Sequence, residues 1–332
     1  MRNFVDNTRR SLKGLARRDP RLRRIHHRLR GRLHRIRLRA GAGRRAGGVN
    51  PENVVWIFGS GRSGSTWLRS MMAEMEAHHV WEEPMVGRLF GDFHARAQEG
   101  NLLSPDFIMG DPIRRGWIGS IRTFVLEGAR LSHPRLGPGD YLIVKEPNGS
   151  TGAPLLMEAL PESRMILLVR DPRDAVASSL DGAKGESWLH EWRGGDRPDR
   201  ENLADERPDR FVRRRAASYR RHMTKAREAY EAHRGHKTLV RYEDLRTDTL
   251  GTMARVYSEL GIPAEKKDLV RAVERHSWER LPESEKGAGK FYRKGTPGGW
   301  RDDLTPEQAR IVEEITAPLL REFYPEAPEP PA

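Results

Sequence analysis

The chain has 332 residues, 36% hydrophobic and 32% charged, with no cysteine. That length can bury one large core, and the missing thiols exclude a disulfide scaffold, an iron–sulfur cluster, a cysteine-based zinc site and a cysteine nucleophile. The formal charge of +13 is lodged at one end: residues 1–48 hold 17 Lys and Arg against two acids, and the remainder is nearly neutral at −2.

In the basic arm, Leu22, Ile25, Leu29, Leu33 and Ile36 recur at helical spacing with arginines between them. Two readings stay open: an amphipathic helix lying on an anionic membrane surface, or a solvated, disordered arm. Nucleic acid is not an expected partner, because the arm carries one aromatic residue, Phe4, and no reader motif follows it. The Gly-rich run Gly41–Gly48 reads as a linker, which leaves residues 49–325 as the folded domain and 326–332 as a disordered tail. No apolar run approaches the roughly 20 residues of a bilayer span, and no apolar secretory core opens the sequence. A cytoplasmic location, peripheral to a membrane if the arm binds one, is the expectation.

Residues 53–58 (NVVWIF) predict a buried strand, followed by GSGRSGST and then WLRSMMAEMEAHH, read as one helix. Further strands are predicted at Tyr141–Lys145, Arg164–Val169 and Lys237–Arg241. Apolar strands alternating with helical segments predict an α/β domain with a central parallel sheet flanked by helices. Each strand ends in a polar cluster, as a ligand site at the carboxyl edge of such a sheet requires: Ser60 to Thr66, Lys145 and Glu146, Arg170 to Arg173, Tyr242 to Asp244. Asp181–Arg210 is charged and without clear periodicity, hence either a long surface loop or lid or a disordered segment. Thr305-Pro306-Glu307-Gln308 has the form of a capping box, opening a helix to about Phe323 that is kinked or broken near Pro318.

A Gly-rich turn between strand and helix cradles phosphate, because glycines admit close approach and free amides face the anion. The nucleotide-hydrolase pattern GxxxxGK[ST] nearly fits from Gly59, but its lysine position holds Ser65, and the positive charge sits at Arg62 instead. The stretch Gly61–Trp67 (GRSGSTW) resembles the 5′-phosphosulfate-binding loop of sulfotransferases, enzymes that use 3′-phosphoadenosine 5′-phosphosulfate (PAPS). Arg170-Asp-Pro-Arg-Asp-Ala-Val-Ala-Ser178 resembles the family's 3′-phosphate motif. Arg293-Lys-Gly-Thr-Pro-Gly-Gly-Trp300 resembles its RKGxxGDW segment, with Gly299 where the family has Asp. The resemblance implies a single P-loop-like domain. It implies a PAPS site formed by Gly61, Arg62, Ser63, Gly64, Ser65, Thr66, Trp67, Arg170, Ser178, Tyr242, Ser277, Trp278, Phe291, Arg293, Lys294 and Gly295, with Trp67 and Trp278 either sandwiching the adenine or packing in the core.

By the same resemblance the reaction moves a sulfonate group to a hydroxyl of a carbohydrate, lipid or small metabolite and releases 3′,5′-adenosine bisphosphate, with no metal expected. The histidine of the cytosolic KTH motif is absent, since Lys145-Glu146-Pro147 stands there. The tyrosylprotein pattern RSGTT…GEET instead points to Glu83 as base, ahead of Glu82 and Glu146. Arg62 and Lys145 complete the catalytic set, the lysine resembling that of the NKDP segment. An atypical P-loop kinase, or a non-catalytic nucleotide-binding protein held to anionic surfaces by the arm, remains the alternative.

Overall fold

The computed structural model describes residues 48–99, 107–184, 204, 207–281, 283–287, 289–290 and 295–325. Nearly all of the basic arm, the tail from 326, most of the expected lid and the site residues Phe291, Arg293 and Lys294 lie outside them. By their contacts the residues divide into two units, Asn50–Leu126 with Gly139–Ala332 and Met1–Val49 with Glu127–Pro138. In the second unit the described residues include the helical pair Glu127 and Arg130, joined at 2.7 Å. Everything that follows concerns the first.

Its chain runs β1 (Val54–Gly59), α1 (Ser65–Met72), β2 (His78–Glu82), α2 (Phe93–Glu99), α3 (from Arg114), β3 (Tyr141–Lys145), α4 (Ala153–Ala159), β4 (Arg164–Val169) and α5 (Pro172–Asp181). It continues through α6 (Pro208–Ala232), β5 (Lys237–Arg241), α7 (Tyr242–Thr247), α8 (Thr249–Glu259), α9 (Lys266–Arg275), α10 (Trp300–Asp303) and α11 (Pro306–Phe323). The five strands form one wholly parallel sheet in the order β2-β3-β1-β4-β5.

β1 lies at the centre and is fully buried, with Trp56 and Phe58 stacked at 5.4 Å on one face and Val55 and Ile57 turned to the other. Burial on both faces is why NVVWIF reads as a continuous apolar run. Under the Val55 face pack Leu68, Met71 and Met72 of α1, with Met253, Val256, Tyr257 and Leu269 from α8 and α9. Across β1 and β4 on the opposite face runs α6, which also meets α4, α5 and α11. From β1 the chain moves outward to β2, and after β3 it crosses to the other side of β1 to make β4. This reversal opens a crevice beyond the carboxyl ends of the central strands.

Three elements differ from the sequence reading. The helix after the glycine turn stops at Met72, and His78 and His79, read as its end, open the edge strand β2 (His78–Glu82), paired with β3 from His78↔Tyr141 to Glu82↔Lys145. HHVWE is only partly buried and shows no clean alternation, so pairing rather than local pattern decides its state. The expected loop over Asp181–Arg210 gives way at Pro208 to α6. The capping box forms as expected, with Thr305 and Gln308 bonded reciprocally at 3.2 Å, but α11 continues through Pro318 to Phe323. Among the described residues no helix is long and apolar enough to cross a membrane.

Candidate active site

The turn after β1 takes its shape from two left-handed residues, Arg62 (φ 71°) and Gly64 (φ 91°). At Gly64 no side chain fits, because a Cβ there would stand 2.5 Å from Cδ2 of Tyr242. The turn delivers the chain into α1 (Ser65–Met72), whose N-terminal end follows the carboxyl end of β1, and the first amides of a helix have no partner further back within it. Ser63 is buried with its hydroxyl lacking a hydrogen-bond partner.

Strand β4 brings the second motif against this turn. Arg170 donates from a terminal nitrogen to the carbonyl of Arg62 (2.9 Å), and Arg62 donates from Nε to Oγ of Ser178 (3.0 Å). The Arg170 guanidinium lies 4.3 Å from the centre of the Tyr242 ring, and its Nε is buried without a hydrogen-bond partner. A strand-end arginine over an aromatic face, with its buried Nε unspent, is poised for an anion.

Trp67 meets Tyr242 edge-on at 6.3 Å and donates from Nε1 to the carbonyl of His276 (2.8 Å), which draws in the segment holding Ser277 and Trp278. Arg246 covers both indoles, 5.4 Å from Trp67 and 5.8 Å from Trp278. Gly295 presses on Trp278 so closely that a Cβ would lie 2.7 Å from the ring. Asp174 then fastens the chain beyond: it is fully buried and accepts from the amides of Gly298 (2.7 Å) and Trp300 (2.9 Å). Burial pushes its carboxyl up, against the nearby Arg170 charge and those two amides. The Gly61–Trp67 turn, Arg170, Ser178, Tyr242, Ser277, Trp278 and Gly295 thus belong to one continuous cluster.

The carboxylates form a second cluster beside it. Lys145, 5% exposed at the end of β3, donates from Nζ to Glu82 and to Glu83, both at 2.6 Å. Glu82 also pairs with Arg69 (2.7 Å), so both its oxygens face cations. Glu83 has its second oxygen on the neutral amide of Asn148 (2.8 Å) and sits at φ 43°, where the chain turns out of β2. Asn148 links the clusters, since its Oδ1 would stand 3.0 Å from a Cβ on Gly61. Glu146 is 0% exposed, and its two oxygens accept from the amides of Met85 (3.0 Å) and Gly87 (3.1 Å). Burial pushes its carboxyl up to about 7.

Sequence reasoning passed over Asn148, Asp174 and Arg246 as site residues. Asp174 lies inside the Arg170–Ser178 motif and was within reach. Asn148 and Arg246 carry no signal in their spacing, and only the packing brings them in.

A protein-family model described as the sulfotransferase family matches residues 55–266. Among solved structures, the chain is similar to mouse sulfotransferase SULT7A1 complexed with PAP (15% identity, TM-score 0.50, covering 82% of this chain and 86% of that one). It is similar to sulfotransferase STF9 from Mycobacterium avium to the same degree (15% identity, TM-score 0.50, covering 83% and 78%). At this identity the likeness shows the shared fold. No curated protein matches the sequence.

Proposed function

The chain belongs to the sulfotransferase family, and from that premise we propose that its two clusters bind PAPS and an alcohol acceptor side by side. The observation that carries this is the pair of hydrogen bonds joining two stretches distant in sequence, the Gly61–Trp67 turn and the Arg170–Ser178 motif: Arg62 to Ser178, and Arg170 to the Arg62 carbonyl. They join the turn at one anionic end of the donor to the residues proposed for the other.

The residues present fit this donor. The buried Ser63 hydroxyl and Arg170 Nε, both without hydrogen-bond partners, and the first-turn amides of α1 suit phosphate and sulfonate oxygens. Trp67, Tyr242, Trp278 and Arg246 give aromatic and guanidinium faces of the kind that stack on a purine. Gly61, Arg62, Gly64, Ser65 and Thr66 would hold the 5′ end, and Arg170 and Ser178 the 3′-phosphate. Gly295 leads back toward Phe291, Arg293 and Lys294, which we assign to the same end on the family resemblance.

When bound, PAPS supplies a sulfonate whose S–O bond to the 5′-phosphate breaks as a new S–O bond forms to the acceptor hydroxyl, the electron pair leaving on phosphate. The chain's share is position, charge and a base. Arg62 and Lys145 face developing negative charge. Glu83 takes the acceptor's proton: Glu146 is wholly buried, and Glu82 has a cation on each oxygen, whereas Glu83 has one cation and one neutral amide. Lys145 and Asn148 hold the Glu83 carboxylate, leaving its remaining lone pairs for the incoming hydroxyl.

Thermal stabilisation tests the reading, because a ligand of the native state raises its stability by mass action. Stabilisation by 3′,5′-adenosine bisphosphate but not by ATP with magnesium supports it. The reverse favours a kinase, and indifference to both favours a protein that binds neither.

A further inference from the structure

A groove of about 530 Å³ opens beside Glu83, and its walls are Pro84, Met85, Val86, Leu89 and Phe124 with Arg88 and Asp92. We infer that this groove holds the apolar body of the acceptor, so that the substrate is an amphiphilic alcohol, one hydroxyl on a hydrocarbon frame, and not a glycan. The inference rests on the sulfonate-transfer reading above.

Three observations carry it. The groove wall begins at the residue after the base: Pro84 follows Glu83, and the left-handed residues Glu83 (φ 43°) and Met85 (φ 63°) turn the chain from the Lys145 side into the wall. Five of the seven lining residues are apolar, and the two charged ones, Arg88 and Asp92, pair with each other at 3.2 Å. A glycan's hydroxyls would sit unpaired against Leu, Met, Val and Phe, at a penalty for each. Finally, Leu89 and Phe124 stand 54% and 52% exposed on the wall, and Phe90 packs edge-on against Phe124 at 5.5 Å. An apolar ligand would cover them. The volume suits a small organic body.

The groove wall is held in place by backbone contact. A Cβ on Gly87 would lie 2.0 Å from the carbonyl oxygen of Gly149, and one on Gly152 would lie 2.3 Å from that of Gly87. With Glu146 clamping Met85 and Gly87, the groove is preformed.

The test uses the full chain, labelled PAPS and a series of 1-alkanols from butanol to octanol, with methyl glucoside as the polar competitor. Binding of 3′,5′-adenosine bisphosphate is measured first. Given that binding, KM should fall with chain length, by about fourfold per methylene at full burial, and Leu89→Ser and Phe124→Ala should each weaken the dependence while leaving the bisphosphate shift unchanged. Nucleotide binding intact, with methyl glucoside preferred or alkanol length immaterial, overturns the acceptor class alone. Loss of nucleotide binding in the unaltered protein overturns the donor site, and the acceptor class with it.

Discussion

The clusters proposed for donor and acceptor meet at Asn148, yet they are built on different principles. The donor side is assembled from strand ends: β1 releases the Gly61–Trp67 turn, β4 delivers Arg170, and β5 runs into Tyr242. Each contribution is local to its own few residues, and the parallel sheet brings them together. The acceptor side depends on two segments pressed backbone to backbone, residues 83–91 and 146–152, through glycines and one buried carboxylate. A site of the first kind can be written as short motifs; one of the second kind exists only in the fold.

The difference can be broken at its chemical centre first. Glu83→Gln removes the proposed base while keeping a side chain of the same size beside Lys145 and Asn148. Turnover should fall by about 10²–10⁴-fold, the usual contribution of a positioned base, with affinity for 3′,5′-adenosine bisphosphate unchanged by calorimetry. An active variant would return the role to Glu82 or Glu146. Arg170→Ala strikes the donor side alone: it deletes the bond to the Arg62 carbonyl and the cation over Tyr242. Bisphosphate affinity should drop by about 10- to 100-fold, as expected for a lost charge-assisted contact. An unchanged dissociation constant would remove Arg170 from the nucleotide site.

These variants also mark what could be read without coordinates. Tyr141–Lys145, Arg164–Val169 and Lys237–Arg241 are legible because parallel strands buried on both faces spell themselves as apolar runs. The glycine turn is legible because a left-handed residue pressed against a ring has to lack a side chain. Strand β2 is not, since His78–Glu82 lies at the sheet edge and owes its conformation to β3. Nor is the setting of Glu146: sequence offers it as a base behind Glu83, and only the fold shows its two oxygens accepting from the amides of Met85 and Gly87.

Gly87→Ala sharpens the comparison from the acceptor side. Its backbone is ordinary helical (φ −65°, ψ −35°), so the added methyl acts by contact alone, against the carbonyl of Gly149. With backbone on both sides there is no flexible side chain to yield, and overpacking should cost about 3 kcal/mol of stability. Denaturant titration would read this, and the acceptor KM should rise more than the bisphosphate dissociation constant. Equal changes in both would mean the two clusters are not mechanically separate.

The smallest effect is a slope in pH. Glu146 has its folded value raised to about 7 from 4.5 because burial penalises the charge more than its two amide bonds favour it. Between those values the native chain holds a proton that the unfolded chain has released, so this group's contribution to stability falls as pH rises through the window and is flat above it. His222 shifts the other way, down to about 4 by burial, and stabilises with rising pH over part of the same range. Wild-type stability alone therefore mixes the two. Subtracting the stability of Glu146→Gln at each pH cancels His222 and leaves the carboxyl. The wild type's margin over the variant should shrink by about 1–3 kcal/mol from about pH 5 to about pH 8. A margin that stays constant would mean Glu146 titrates alike in both states, and that burial does not penalise the charge of the clamp on residues 85–87.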